Sequence, residues 1–372
     1  MKIFVPLLFA AAAAVFILSQ CGDSSTGPAS RPRLRIGAPS VLLTPGDSTS
    51  LAVEGRDARG QPIAPEEVAW SSSDPGIADV AADGRVTAVA QGRATIVATA
   101  EEARDSVPAI VGPAVLVGAG DIASCTVDGD DATAALLDTI PGVVFTLGDH
   151  VYPHGKTDEF LDCYAPTWGR HRDRTRPTPG NHDYDTADAA AYFTYFGAAA
   201  GEPGKGYYSY DLGSWHIVVL NSEIDTGPDS EQLAWLREDL AAHPALCTLA
   251  YWHRPLFSSN TPGGNPAMKP FWDALYEAGA ELVLNGHDHY YDRYVPLTPD
   301  GVPDPERGIR QFVVGTGGQP PHTSALAPEI REVHDGATVG VLKLTLRPDG
   351  YEWAFVPADG GTFTDSGSAP CH

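Results

Sequence analysis

The sequence predicts a layered α/β domain, with two mixed β-sheets flanked by helices, set behind a small all-β sandwich. Three observations carry this expectation. The chain has 372 residues, more than one typical domain needs. Residues 32–112 hold short β-branched runs and frequent turns with no helical period. Residues 113–372 alternate apolar strand-like runs with segments of helical spacing.

The remaining N-terminal stretch reads as an address. Lys2 gives a positive start, Ile3 to Leu18 is apolar, and Leu18-Ser19-Gln20-Cys21 follows. This resembles a bacterial lipoprotein signal. It implies removal of residues 1–20, a lipid on Cys21 that anchors the chain to the membrane, and a flexible tether over 21–31. An ordinary cleaved secretory signal is the alternative. A spanning helix needs roughly 20 apolar residues. Each reading exports the body of the chain, either lipid-anchored to the cell envelope or periplasmic or secreted.

Disulfides persist outside the cytoplasm. With Cys21 set aside, Cys125, Cys163, Cys247 and Cys371 remain, and three pairings are open. Cys125 and Cys163 follow adjacent loops, so Cys125–Cys163 is the expected bridge and Cys247–Cys371 the other. A four-thiolate zinc site would want a CxxC spacing, which the chain lacks. The net charge of −24 argues against a nucleic-acid groove, which needs clustered Lys and Arg.

In the first domain, strands are expected at Ser50–Val53, Val68–Trp70, Ile77–Val80, Val86–Val89 and Thr95–Ala100. Asp83-Gly84 marks a two-residue hairpin turn, and the whole reads as an antiparallel sandwich. The stretches Trp70–Ala78, Asp83–Val89 and Gly92–Ile96 resemble the bacterial Ig-like group 2 domain. The resemblance implies a spacer, or a weak contact with envelope glycan.

In the second domain, strands are expected at Ala114–Val117, Val143–Leu147, Leu246–Trp252, Leu282–Leu284, Phe312–Val314, Val339–Leu346 and Tyr351–Val356. Tyr207–Tyr210 and Trp215–Leu220 form a hairpin. Helices are expected at Asp131–Asp138, after a Ser230 cap with Leu233, Leu236 and Leu240 in phase, and at Lys269–Ala278 before Gly279.

Metal-type side chains stand in five loops, just past apolar strands or turns. These are Gly120-Asp121, Gly148-Asp149-x-x-Tyr152, Gly180-Asn181-His182-Asp183, His253, and Gly286-His287-x-His289. Each has a structural alternative: a helix cap for Asp121, a left-handed turn for Asn181, a satisfied core histidine for His253. Together, carboxylate, amide, phenol and imidazole suit Fe(III), Fe(II), Zn(II) or Mn(II).

These residues resemble those of the calcineurin-like metallophosphoesterases, and most closely the purple acid phosphatase branch. The resemblance implies a first metal on Asp121, Tyr152 and His289. A second would lie on Asn181, His253 and His287, with Asp149 as the bridge. It implies His182 as the phosphate contact, with Asp183 orienting its ring. Ala123 stands where the wider superfamily has a histidine, and Tyr152 replaces that ligand. The phenolate implies Fe(III) there, with Fe(II), Zn(II) or Mn(II) beside it. The implied reaction is phosphomonoester hydrolysis on a small phosphate ester. Phosphodiester or nucleotide hydrolysis is the alternative, and a glycan-binding adhesin with an inert second domain is a reading of another class. The Ser258–Met268 loop lacks the further histidines of plant and animal members, which leaves the leaving-group acid unassigned.

His150 and His154 flank the central loop and are expected to support it rather than bind substrate. Tyr184 and Arg254 are candidates for phosphate or leaving-group contact. Gly315-Thr316-Gly317-Gly318 is expected to bring backbone close to the site, with His322 just beyond.

Overall fold

The computed structural model describes residues 33–372, apart from 39, 45–46, 58–60, 64–66, 90–91, 102, 113, 246, 261–262, 323–325, 327 and 348. The signal segment, Cys21 and the tether lie outside the described residues, as does the expected domain boundary at Pro113.

The first domain is all β, built on one apolar core that includes Ile36, Val86, Ile96 and Val107. Its strands form three small sheets rather than one simple antiparallel sandwich. Val41–Leu43 runs parallel to Ala103–Val111. The expected strand Ser50–Val53 is divided between sheets. Ser48–Ser50 pairs with Arg85–Ala88, whereas Val53–Arg56 pairs with Arg33–Ile36. Leu51 turns into the core between them, so the chain changes sheet there. The Asp83-Gly84 hairpin is one residue longer than expected, because the Ala81 N–H bonds the Arg85 carbonyl. Gly84 takes the left-handed position at φ +83°, as three-residue hairpin loops require.

The second domain is two mixed sheets face to face. One sheet has the order Thr175–Thr178, Val143–Leu147, Ala114–Ala119, Gly340–Arg347, Gly350–Pro357, Ser366–Pro370. Its first three strands are parallel and the rest antiparallel. The other runs Tyr208–Leu212, Trp215–Val219, Cys247–Tyr251, Leu282–Asn285, Ile309–Val314, Tyr291–Leu297, Arg331–Asp335. Its four central strands are parallel.

Val117, Phe145, Ile217, Leu249, Tyr251, Leu284 and Leu342 share the core between the sheets. A second core forms where helices Glu231–Ala242 and Lys269–Glu277 cover the seven-stranded sheet, with Leu233, Leu236, Phe271 and Trp272 against Val218, Ala250 and Val283. Ser230 caps the first of these helices, its Oγ accepting from the Leu233 N–H at 3.2 Å. Gly279, at φ +75°, ends the second.

Thr175–Thr178 was not expected as a strand. Its sequence is Thr-Arg-Pro-Thr, which carries no apolar run. It lies at the sheet edge, where a proline is tolerated.

Both expected disulfides are present, Cys125–Cys163 and Cys247–Cys371. The first closes a 38-residue separation that contains the Asp149 loop. The second ties the C-terminal segment to a central strand across 124 residues.

Asp130, in the first turn of helix Gly129–Thr139, is 2% exposed and accepts from Thr167 Oγ1 at 2.7 Å. Burial pushes its carboxyl up to about 6, above the ordinary aspartate range. The folded state therefore binds this proton more tightly than the unfolded chain. Its contribution to stability is fully present below pH ~4 and is lost as pH rises through about 6. Asp130→Asn is expected to flatten that decline and to gain roughly 1–3 kcal/mol at pH 7. Denaturant titrations at pH 4 and 7 on both proteins check it.

Candidate metal centre

The parallel strands of both sheets end at one common edge, and the functional loops leave from it. Asp121 follows Ala114–Ala119, Asp149 follows Val143–Leu147, and Asn181 follows Thr175–Thr178. His253 follows Cys247–Tyr251, and His287 and His289 follow Leu282–Asn285. The edge is stitched across the sheets, for Gly120 donates to the Val314 carbonyl at 2.9 Å.

The seven predicted donor side chains meet there. Tyr152 Oη lies 2.9 Å from Asp121 Oδ1, 3.0 Å from Asp149 Oδ2 and 3.1 Å from His289 Nε2. His253 Nε2 lies 3.1 Å from Asn181 Oδ1, 3.2 Å from His287 Nδ1 and 3.3 Å from the same Asp149 Oδ2. There are thus two donor sets, and one carboxylate oxygen belongs to both.

Backbone strain marks the same residues. Asp121, Asp149 and His287 have φ of +61°, +52° and +72°. Left-handed conformations are uncommon for residues with a side chain, and each costs of order 1–3 kcal/mol unless its surroundings enforce it. A Cβ on Gly180 would collide with Asp149 Oδ1, and one on Gly148 would stand 2.6 Å from His253 Nδ1. Glycine is required there so that backbone can pack against the donors.

Electrostatics describe a pocket that demands positive charge. Asp121 and Asp149 are buried, which alone would raise them. The hydrogen bond and charge of His289 hold Asp121 below the ordinary range, and those of His253 do the same for Asp149. His253 is raised to about 10, since Asp149 outweighs its burial. His289 is also raised, because its bond to Asp121 outweighs burial. Burial, then Asp121 and Asp149, keeps the Tyr152 phenol protonated far above its ordinary range. His287 is lowered to about 4 by burial and by the neighbouring charges of His253 and Arg254. Protons thus balance the carboxylates here, and two hard cations would supply the same charge to the same oxygens and nitrogens. The donor set fits a pair of cations.

Asp183 is not where the sequence reading put it. It is fully buried and makes no hydrogen bond to the His182 ring. Instead it accepts from the Asp149 N–H at 3.0 Å, the Gly180 N–H at 2.8 Å and His150 Nδ1 at 3.0 Å. It binds two metal-type loops to each other. His182 is oriented by the Pro153 carbonyl, 2.7 Å from its Nδ1, with Asp185 Oδ2 at 3.6 Å. Its Nε2 lies 4.0 Å from Asp149 Oδ2.

His150 is completely buried, between Asp183 and Thr146 Oγ1 and among the rings of Phe160, Tyr164, Tyr192 and Phe196. It supports the loop and cannot meet substrate. His154 is exposed and bonds Asp185 at 3.3 Å. Tyr184 accepts from Asn221 Nδ2 at 2.9 Å. The Gly315–Gly318 turn does run close behind the site, for Gly317 donates to the Gly120 carbonyl and Gln319 to the Asp121 carbonyl. The His322 ring stacks on His289 with centroids 3.8 Å apart, a contact that the sequence alone did not reveal. Glu223, which holds Arg254 Nε at 2.9 Å, also escaped the sequence reading, since nothing in its local context distinguishes it.

Paired sheets with a two-set donor cluster at their shared edge define a metallophosphoesterase-type domain. Comparison with known families agrees. Residues 115–291 match the calcineurin-like phosphoesterase model, and residues 33–111 the bacterial Ig-like domain (group 2) model. The chain therefore carries a calcineurin-like phosphoesterase domain behind a bacterial Ig-like domain.

The curated relatives it matches include several purple acid phosphatases. Purple acid phosphatase 15 of Arabidopsis thaliana is 28% identical over 218 residues, 49% of this chain and 41% of that protein. Acid phosphatase type 7 of Homo sapiens is 29% identical over 147 residues, 32% of each chain. The chain thus spans less than half the length of these relatives. The purple acid phosphatase PPD1 of yellow lupin (Lupinus luteus) shares the fold at TM-score 0.57 and 15% identity, over 91% of this chain and 69% of that one. GAP50, the anchor in the inner membrane complex of Plasmodium, shares it at TM-score 0.53 and 14% identity, over 68% and 87%.

Asp183→Ala is expected to leave three buried backbone N–H groups, those of Asp149, His150 and Gly180, and the His150 ring without their acceptor. The expected loss is about 3–5 kcal/mol of stability, together with metal affinity, as the Asp149 loop shifts. Thermal unfolding and elemental analysis of the purified variant test this. A variant with native stability and metal content would refute the anchoring role.

Proposed function

We propose that this protein hydrolyses phosphate monoesters at a binuclear metal centre of the purple acid phosphatase type. The observation that carries the reading is Asp149 Oδ2, which stands 3.0 Å from Tyr152 Oη and 3.3 Å from His253 Nε2, inside both donor sets. Asp121, Tyr152 and His289 would hold Fe(III), since a phenolate favours that ion. Asn181, His253 and His287 would hold Fe(II), Zn(II) or Mn(II), with Asp149 shared. When bound, such a pair polarises a phosphoryl group and acidifies water.

The protein's own groups do the rest. Asp183 and His150 keep the Asp149 loop in register with the Asn181 loop. The Leu147 carbonyl, 2.7 Å from His253 Nδ1, accepts that ring's proton and turns Nε2 toward the donors. The Pro153 carbonyl does the same for His182, whose partly exposed ring holds Nε2 4.0 Å from Asp149 Oδ2. His182 Nε2, when protonated, donates to an oxygen of the transferred phosphoryl or to the departing alkoxide. Water's oxygen goes to phosphate, and the alcohol leaves with a proton.

Export and attachment through a lipid on Cys21 belong to the same proposal, with the Ig-like domain as a spacer or a glycan contact. Fatty-acid labelling of the expressed chain and of Cys21→Ser tests the anchor, and persistent labelling of the variant would sink it.

Three variants test the centre. His182→Ala is expected to keep both metals and lose about 10²–10⁴-fold in turnover of an aryl phosphate. Asp149→Ala is expected to lose both metals. Tyr152→Phe should lose the visible charge-transfer band of a phenolate–iron pair. Activity at full rate in His182→Ala would remove that residue from the reaction. A colourless wild type containing no iron would overturn the Fe(III) assignment.

A further inference from the structure

Beside the donor sets, on the His287 side, opens a cleft of about 310 Å³. Arg254, Ser258, Asn260, Asn265 and Asp288 help to line it. Arg254 is firmly held. Its Nε donates to Glu223 Oε1 at 2.9 Å and Oε2 at 3.1 Å, and its backbone N–H to Ser222 Oγ at 3.2 Å. Glu223 is itself nearly buried, and its Oε1 also accepts from Ser222 Oγ. The guanidinium is therefore fixed before any ligand arrives.

Arg254 Nη1 stands 3.3 Å from His287 Nε2. The other ring nitrogen, Nδ1, is the one turned to the donor set. The guanidinium donates to His287 Nε2, and among the described residues no acceptor engages its Nη2. An anionic oxygen in the cleft would accept from Nη2 by a charge-assisted hydrogen bond. Asp288 lines the same cleft, but Ser258 Oγ at 2.6 Å and Asn260 Nδ2 at 2.9 Å already engage its two oxygens.

We propose that Arg254 seats an anionic group of the leaving portion of the substrate. The preferred substrates are then phosphate esters or anhydrides with a second anionic group close to the scissile phosphoryl. This rests on the phosphatase reading and specifies its substrate class. Glu223 is a positioning residue for the guanidinium.

The test compares metal-loaded wild type with Arg254→Gln, Arg254→Lys and Glu223→Gln. One readout is the ratio of kcat/KM for inorganic pyrophosphate to that for phenyl phosphate. The other is calorimetric affinity for phosphonoacetate relative to ethylphosphonate. Both ratios are expected to fall about 10- to 100-fold in Arg254→Gln, the loss of one charged hydrogen bond. Arg254→Lys should recover part of the fall, and Glu223→Gln should show a smaller one. Equal losses on both substrates, or a phosphonoacetate preference unchanged in Arg254→Gln, would overturn the seat. A wild type that hydrolyses neither substrate speaks against the phosphatase reading, and the calorimetry still decides the seat.

Discussion

The carboxylate of Asp149 is the constraint on which the site depends. Two donor sets from two β-sheets come together around one of its oxygens. A buried carboxylate cannot stay charged without compensation. Histidines on one sheet and a tyrosine on its own loop supply that compensation as protons, and the same geometry suits cations. Its position is set less by its own sequence than by Asp183, which holds the Asp149 and Gly180 amides together. The buried His150–Asp183 pair extends this anchor into a cage of aromatic rings, where a slack loop would have to disturb the core.

The fold concentrates its costs at that edge. Three donor residues hold left-handed backbone, and glycines pack where any side chain would collide. Such strain persists because hydrogen bonds across the sheets and the Cys125–Cys163 bridge over-determine the loops. Away from the edge the second domain is conventional, with continuous apolar strands between two helix-covered or paired faces. Rigid sheets hold the loops, and the loops hold the chemistry.

Two mixed sheets alone do not specify an activity. The functional reading therefore rests on side chains. Seven donors in two sets sharing one oxygen is a far narrower condition than two mixed sheets. The Arg254–Glu223 pair bears on a further matter, the substrate that such a centre would accept.

The sequence by itself determined both domains and most of their strands and helices, and it placed metal-type side chains after those strands; the pairing of the four cysteines it left open among three. The elements and side chains are legible because periodicity, capping residues and Asp, Asn or His after a strand are local signals. Tertiary structure decided what depends on partners far along the chain. The family resemblance implied that Asp183 orients the His182 ring, yet its partners are the amides of Gly180 and Asp149 and the ring of His150. The same holds for Glu223 on Arg254, 31 residues away, and for His322 on His289, 33 residues away. The Thr175–Thr178 edge strand, the divided strand around Leu51 and the parallel pair in the first domain belong here too. Residue type and spacing encode which groups can bind. Which group meets which is fixed only when sheet pairing closes those distances.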